Sequence, residues 1–431
     1  MLSLIGLIGG LLLLIILTIR GMNLLIAAPL CAIIVAVTGS IDLFAVDGPN
    51  FINSYMGGFA SFVQSWFLMF LLGSLFGKVM EDTGCAQSVS HYLVEKLGAK
   101  FAALAIVLSC AILTYGGVSL FVVAFSVYPM ALALFRESDL PRRFIPATMA
   151  FGSVTFTMTS AGSPEIQNWI PIKYLGTTHL AAWEVSLVVA VFMAVFGYWW
   201  LNRMIKKAIA KGESFEAREN DPAAREKSVP HPVKGLIPLM VVLVISFIFH
   251  DSLKQNALIL ALLGGTLTAW LINLKFITNL NHAIGEGTTG ALVAIGNTAA
   301  VVGFGSVAKA SPAFAVAVET MTSIPGNELI GAAIAVSAIA GLTGSASGGQ
   351  AIALPVLAPH YIDAGVNPEQ LHRVVAISSG ALDSLPHNGY VVTTIRAICG
   401  ETHKAAYGPM AALTVITPLI GLVLAITLFI L

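Results

Sequence analysis

The chain has 431 residues, of which 57% are hydrophobic and 10% charged, with mean hydropathy +0.87 and zero formal net charge. A water-soluble domain carries about 25% charged residues, so this composition excludes an ordinary soluble enzyme. No basic patch supports nucleic-acid binding, and the four scattered cysteines (Cys31, Cys85, Cys110, Cys399) lack metal-ligand spacing, so no metal or cofactor is expected.

Apolar runs at 2–18, 24–37, 62–76, 186–201, 236–249 and 411–431 approach the roughly 20 residues that cross a bilayer. The first has no basic residues before it, so it is expected to be a retained helix rather than a cleaved signal. In chain order, crossings are predicted near 2–19, 22–39, 59–80, 144–171 and 183–203, and again near 235–250, 256–274, 288–307, 371–396 and 408–431. Between the third and fourth crossing of each set lies an apolar stretch, 102–134 and 328–361, with small residues in the middle and both flanks on one side. These are predicted to be re-entrant helical hairpins. Residues 206–233 form the one strongly polar segment, read as a solvated cytoplasmic linker between a first unit, 1–205, and a second, 234–431.

The two units repeat each other. Phe76-Gly77-Lys78-Val79 returns as Phe304-Gly305-Ser306-Val307. Asp139 matches Glu369, Arg143 matches Arg373, and Gly176-Thr177-Thr178-His179 mirrors Gly400-Glu401-Thr402-His403. Five crossings per unit require the copies to be inverted. With both termini outside, only Lys173, Lys254, Lys309 and Arg373 of the 22 Lys and Arg lie outside, as the positive-inside rule favours. Inverted repeats in so apolar a chain point to a secondary transporter of the inner membrane, with its site where the copies meet.

Ionisable groups at mid-depth are informative because each costs about 2.5–3.5 kcal/mol to insert. Glu165 and Asp383 stand in the fourth crossing of their units, beside Pro164 and Pro386, and His387 follows. Around them, Thr157 to Asn168 and Ser378 to Gly389 are too rich in Gly, Pro, hydroxyls and amides for regular lipid-facing helix. A helix broken there presents free N–H groups that suit an anion. The hairpin tips, Tyr115-Gly116-Gly117-Val118-Ser119 and Thr343 to Gln350, supply two more such ends. The expected substrate contacts are therefore Tyr115, Gly117 and Ser119; Ser160, Ser163, Glu165, Gln167 and Asn168; Ser345, Ser347, Gly348 and Gly349; and Asn388. His387 and Asp383 are the expected proton carriers. No Lys or Arg is expected deep in a crossing, and Arg143 and Arg373 are read as interfacial anchors. The solute is then a small, singly charged anion.

At these residues the chain resembles the gluconate:proton symporter (GntP) family of the ion transporter superfamily. The stretch Gly73-Ser74-Leu75-Phe76-Gly77-Lys78-Val79-Met80 with Gly84-Cys85-Ala86-Gln87 is similar to the family's third-helix pattern, and likeness extends over nearly the whole chain. Gly162-Ser163-Pro164-Glu165-Ile166-Gln167-Asn168, Ser347-Gly348-Gly349 and Leu385-Pro386-His387-Asn388-Gly389 are more similar to the branch described as 3-hydroxybutyrate permeases than to the His- and Pro-rich gluconate branch. The resemblance implies proton-coupled symport of a small hydroxy-monocarboxylate by a lipid-embedded homodimer with an elevator-type motion. Alternatives are a gluconate or other organic-acid permease, sodium coupling, or an inorganic-ion/proton antiporter. An intramembrane hydrolase using Ser384, His387 and Asp383 gains nothing from the duplication, so the chain is expected not to be an enzyme.

Overall fold

A computed structural model describes residues 2–20, 22–44, 50–98, 101–118, 120–218, 229–277, 279–322, 324, 326–386 and 388–431. Ser119, His387 and the charged run Glu219-Asn220-Asp221-Pro222 to Lys227 lie outside the described residues. The first unit holds α1 (Leu2–Ile19), α2 (Leu24–Thr38), α3 (Phe51–Asp82), α4 (Cys85–Leu97), α5 (Ala102–Tyr115), α6 (Leu120–Glu137), α7 (Ile145–Ala150), α8 (Ile170–Leu175) and α9 (Trp183–Ile209). The second holds α10 (Pro232–Leu253), α11 (Ala257–Ile272), α12 (Leu280–Ala310), α13 (Pro312–Thr322), α14 (Glu328–Thr343), α15 (Ala346–Asp363), α16 (Pro368–Leu382), α17 (Gly389–Val392), α18 (His403–Ala411) and α19 (Thr417–Ile430).

The order of elements recurs: two apolar helices, one very long helix, a short helix, a helix–turn–helix, a broken helix and a final long span. Loops hand over to helices through asparagine caps. Asn23, Asn50, Asn279, Asn327 and Asn367 each accept a backbone N–H of the first turn with the side chain. This satisfies donors that lipid cannot. Each broken helix passes through a π-helical stretch, Phe151–Thr155 in the first unit and Thr393–Ile398 in the second. A third, Ala412–Ile416, joins α18 to α19.

Among the described residues, six helical spans are long and apolar enough to cross a membrane, by length and composition: α3, α6, α9, α10, α12 and His403–Ile430. The arms α5 and α14, with 14 and 16 residues, fall short of that length, as hairpin arms should. Their partner α6 does not, so length alone does not separate hairpin from crossing there. The helices α4 and α13 were not foreseen. In α4 the first half is covered, with Cys85, Ala86, Ser88, Val89 and Ser90 buried, while Tyr92 and Lys96 in the second half are exposed.

Packing is crossed between the units. The pair α3 and α12 run against each other, with α2 on α12 and α1 on α2, and with α11 on α3 and α10 on α11. The 32 residues of α3 make it about 48 Å long, more than a hydrocarbon core. A second assembly gathers both helix–turn–helix pairs, both broken helices, α9 and α19. In it α5 packs on the Phe151–Thr155 turn and α14 on α16, while α15 reaches across to α8 and α6 to Thr393–Ile398.

The helix α9 continues to Ile209, four residues past the expected unit boundary. The described start of the linker is not a loose tether. The Arg143 guanidinium makes a two-pronged contact with Glu213 at 2.5 and 2.8 Å, the Phe215 N–H donates to Asp139, and Arg218 bonds the Gly400 carbonyl and Glu401. Arg143 holds the Glu213 carboxyl below the ordinary carboxylate value of 4.5. A depressed folded-state pKa means this stabilisation is complete at neutral pH and is lost only as pH falls through the lowered value. The pair is about one-third exposed, so Glu213→Gln is expected to cost less than about 1 kcal/mol. At pH 7 it should speed protease cleavage within 206–218, an effect that 1 M salt reproduces in the parent protein. Unchanged cleavage would show that the linker is held by other contacts.

Candidate functional site

The breaks and tips expected from the sequence do meet. The first break begins where the Phe151–Thr155 turn ends and includes Gly162 at φ +83, a conformation suited to glycine. A Cβ there would come within 2.8 Å of the Tyr115 hydroxyl. Tyr115, at the end of α5, donates that hydroxyl to the Ala161 carbonyl at 2.6 Å. Gly117, at φ +92 in the same tip, faces the Pro164 ring. The first hairpin is thus tied to the first break.

The second hairpin is tied to both breaks. Gln350, fully buried in the first turn of α15, donates Nε2 to the Gln167 carbonyl and to the Ser379 hydroxyl, both at 2.9 Å. Asn388 donates Nδ2 to the Gly344 carbonyl at 2.9 Å, and its Oδ1 caps α17 by accepting the Val391 N–H. Ser345 caps α15 by accepting the Gly348 N–H, with the Ser347 hydroxyl 3.5 Å away. Gly349 lies against Ala340, where a Cβ would fall 2.6 Å from the Ala340 Cα, so the hairpin arms touch backbone to backbone. The two broken helices also interlock. A Cβ at Gly380 would lie 2.9 Å from Thr159.

The remaining expected contacts are placed as follows. Ser160 donates to the Phe156 carbonyl, and the fully buried Ser163 hydroxyl accepts the Glu165 N–H. Glu165 is half-buried, with no ion-pair partner among the described residues. Asp383 is buried at the end of α16 and accepts the Ser384 hydroxyl at 3.0 Å. No bond links Glu165 to Asp383 among the described residues. Asn168 is fully buried, with Nδ2 donating to the Ser163 and His179 carbonyls and Oδ1 accepting from Arg373. It holds the break in shape.

Arg373 corrects the expectation of an interfacial anchor. It is fully buried, and its guanidinium donates to the carbonyls of Ala181, Thr159 and His179 and to Asn168, at 2.6 to 3.3 Å. The physical reason is that residues 156–165 and 176–182 are not helical, so their carbonyls need donors, and the guanidinium N–H groups from the other unit supply them. His179, stacked on Trp169 at 4.6 Å, and His372, bonded to Thr177 at 2.7 Å, are buried in the same joint and were also missed. The match of Arg143 with Arg373 was the available signal. Arg143 bonds the Ala405 carbonyl as Arg373 bonds that of Ala181, and Ala405 matches Ala181 in the repeat. Arg142 pairs with Glu401 as His372 pairs with Thr177, again matched positions with the units exchanged.

Within this bonded joint, the amide oxygens Oε1 of Gln167 and Oε1 of Gln350 are buried with no partner among the described residues, as are one ring nitrogen each of His179 and His372. The Gln350 amide orientation follows from its neighbour, since a carbonyl such as that of Gln167 demands a donor. Two free amide oxygens beside exposed helix ends can accept from a hydroxyl or hold a small cation. A separate cleft of about 850 Å³ runs along α5, α9 and α10 to Tyr115 and Ser160. Its walls are mainly Leu and Ala, with Phe156 and Phe247, and Tyr115, Ser160 and Ser186 use their hydroxyls on backbone groups. It fits hydrocarbon rather than an anion.

Residues 1–280 match the profile of the GntP family permeases. Over 92% of its length the chain is 36% identical to YxjC of Bacillus subtilis (strain 168), an uncharacterised transporter, and the match spans 92% of that protein. The chain belongs to the GntP permease family. It is therefore a transporter, integral to a membrane, and not an enzyme. A shorter stretch covering 30% of the permease is 24% identical to the high-affinity gluconate transporter of Escherichia coli (strain K12), matching 28% of it. MtrF of Neisseria gonorrhoeae, from a class of antimetabolite efflux pumps, shares the fold at TM-score 0.55 and 16% identity, over 96% of the permease and 94% of that chain.

Proposed function

We propose that this permease takes up a small hydroxy-monocarboxylate, 3-hydroxybutyrate first, with a proton, across the inner membrane. The observation that carries the reading is the joint itself. Two breaks and two hairpin tips are bonded to one another through Tyr115, Gln350 and Asn388, leaving two amide oxygens free. The carboxylate lies on the helix ends with Ser345, Ser347, Gly348 and Asn388, and the substrate hydroxyl donates to Gln167 or Gln350. His387 or Asp383 takes the proton. The exchanged joints of Arg143 and Arg373 support two inverted repeats, 1–205 and 234–431, joined by 206–233, with both termini outside. The hairpins and broken helices would ride past the crossed α3 and α12 as an elevator within a homodimer.

The test is uptake of labelled 3-hydroxybutyrate into proteoliposomes with an alkaline interior. Accumulation is expected to collapse when the gradient is removed; indifference to the gradient removes proton coupling, and transport of gluconate alone removes the substrate. Asp383→Asn and His387→Ala are expected to keep exchange of substrate while losing accumulation at least about tenfold. If both accumulate as the parent does, the proton is carried elsewhere. The two free amide oxygens equally favour bound sodium, and replacing sodium by choline at fixed pH separates that reading.

A further inference from the structure

Beyond the joint, a cavity of about 200 Å³ opens between α3, α8, α12 and α15. Lys173 of α8 and Lys309 of α12 both line it, together with the hydroxyls of Ser61, Ser65 and Ser306, and no carboxylate stands among its described lining residues. Both lysines are exposed, so the cavity is reached from water. The Lys173 ammonium donates to the Ser65 hydroxyl at 2.9 Å, which leaves it further N–H donors. Two like charges around one small space repel each other unless an anion sits between them. A cleft lined by one sign of charge also concentrates solutes of the opposite sign.

The position of the cavity connects it with the joint. Its floor includes Ala351 and Ile352, which follow Gln350 directly on α15. Ile352 lies against Gly305 of α12, where a Cβ would fall 2.5 Å from its side chain, so the floor is closed by tight packing rather than by a mobile loop. The space is smaller than the roughly 300 Å³ at which drug-sized pockets begin. It admits a solute of a few carbons, with one acidic group to meet the two ammonium groups.

We propose that this cavity is a second anion site, an antechamber in which Lys173 and Lys309 hold the carboxylate of a small organic acid one helical turn from the joint. Its role in uptake rests on the organic-acid reading above; its existence does not. It also offers ammonium donors open to a solute, whereas Arg373, the buried cation of the joint, spends its donors on carbonyl oxygens.

The test is reductive alkylation of lysines by glyoxylate, a small anionic aldehyde, with cyanoborohydride, read by peptide mass spectrometry in phosphatidylcholine nanodiscs. Lys254 and Lys275 serve as references. 3-Hydroxybutyrate or gluconate is expected to slow alkylation severalfold at Lys173 and Lys309 alone, and neutral 1,3-butanediol is expected to have no effect. Equal protection by the diol, or none by either acid, overturns the site. Protection seen only when phosphatidylglycerol replaces phosphatidylcholine assigns the lysines to lipid headgroups and overturns it too. Protection by an acid in a protein that takes up neither acid keeps the site and overturns the cargo proposed above. In uptake, Lys173→Gln with Lys309→Gln should raise KM about tenfold, with the maximal rate changing far less; an unchanged KM would remove the antechamber from the transport path.

Discussion

Arg373→Leu is expected to lower the stability of the permease by about 4 kcal/mol or more and to abolish uptake. The side chain is fully buried and bonds four acceptors: three backbone carbonyls and the Asn168 amide. Leucine would fill much of the space but leave those acceptors without donors, at about 1–3 kcal/mol for each buried group left unpaired. Folded proteins have margins of only about 5–15 kcal/mol. Arg373→Lys is expected to fail almost as badly, because a single ammonium cannot span acceptors that a planar fork reaches together. Melting temperature in detergent, followed by size-exclusion of the folded fraction, measures the effect. A leucine variant that melts with the parent would show that the first break keeps its shape without the guanidinium.

Gln350→Leu is expected to leave the protein folded but to reduce uptake by about tenfold or more. Its amide joins three elements at once: the first turn of α15, the carbonyl of Gln167 in the first break, and Ser379 of α16. Losing it frees the second hairpin tip from the break beside it and removes one of the two free amide oxygens. Gln350→Glu gives a sharper result. An ionised carboxylate only accepts, so it would face the Gln167 carbonyl with no proton to share, whereas the neutral acid has an O–H to donate. Uptake by this variant, relative to the parent at each pH, is therefore expected to rise as pH falls. A flat ratio would mean that the bond to Gln167 plays no part in transport.

The elements were legible because membrane helices announce themselves by length and composition. The expected spans 2–19, 22–39 and 256–274 coincide with α1, α2 and α11 to within a few residues. Both hairpins were readable as small-residue turns in apolar stretches, and Gly162 and Pro164 marked the first break. The short α4 was not readable in that way, since its polar residues resemble a loop until its first half, Cys85 to Ser90, finds a surface to cover. Arg373 misled for a related reason. A cation at the start of a membrane helix ordinarily reaches for water, and only the neighbouring non-helical carbonyls turn it inward.

The sequence by itself determined the repeated order of helices and the positions at which they must break, because hydropathy, proline and glycine act locally along the chain. Only the tertiary structure decided which break meets which tip, and that Asn168 and Arg373 bind each other while Gln167 and Gln350 keep an oxygen free. Those choices depend on donors and acceptors about 200 residues apart in the chain finding one another where water is excluded, and no local pattern records such pairing.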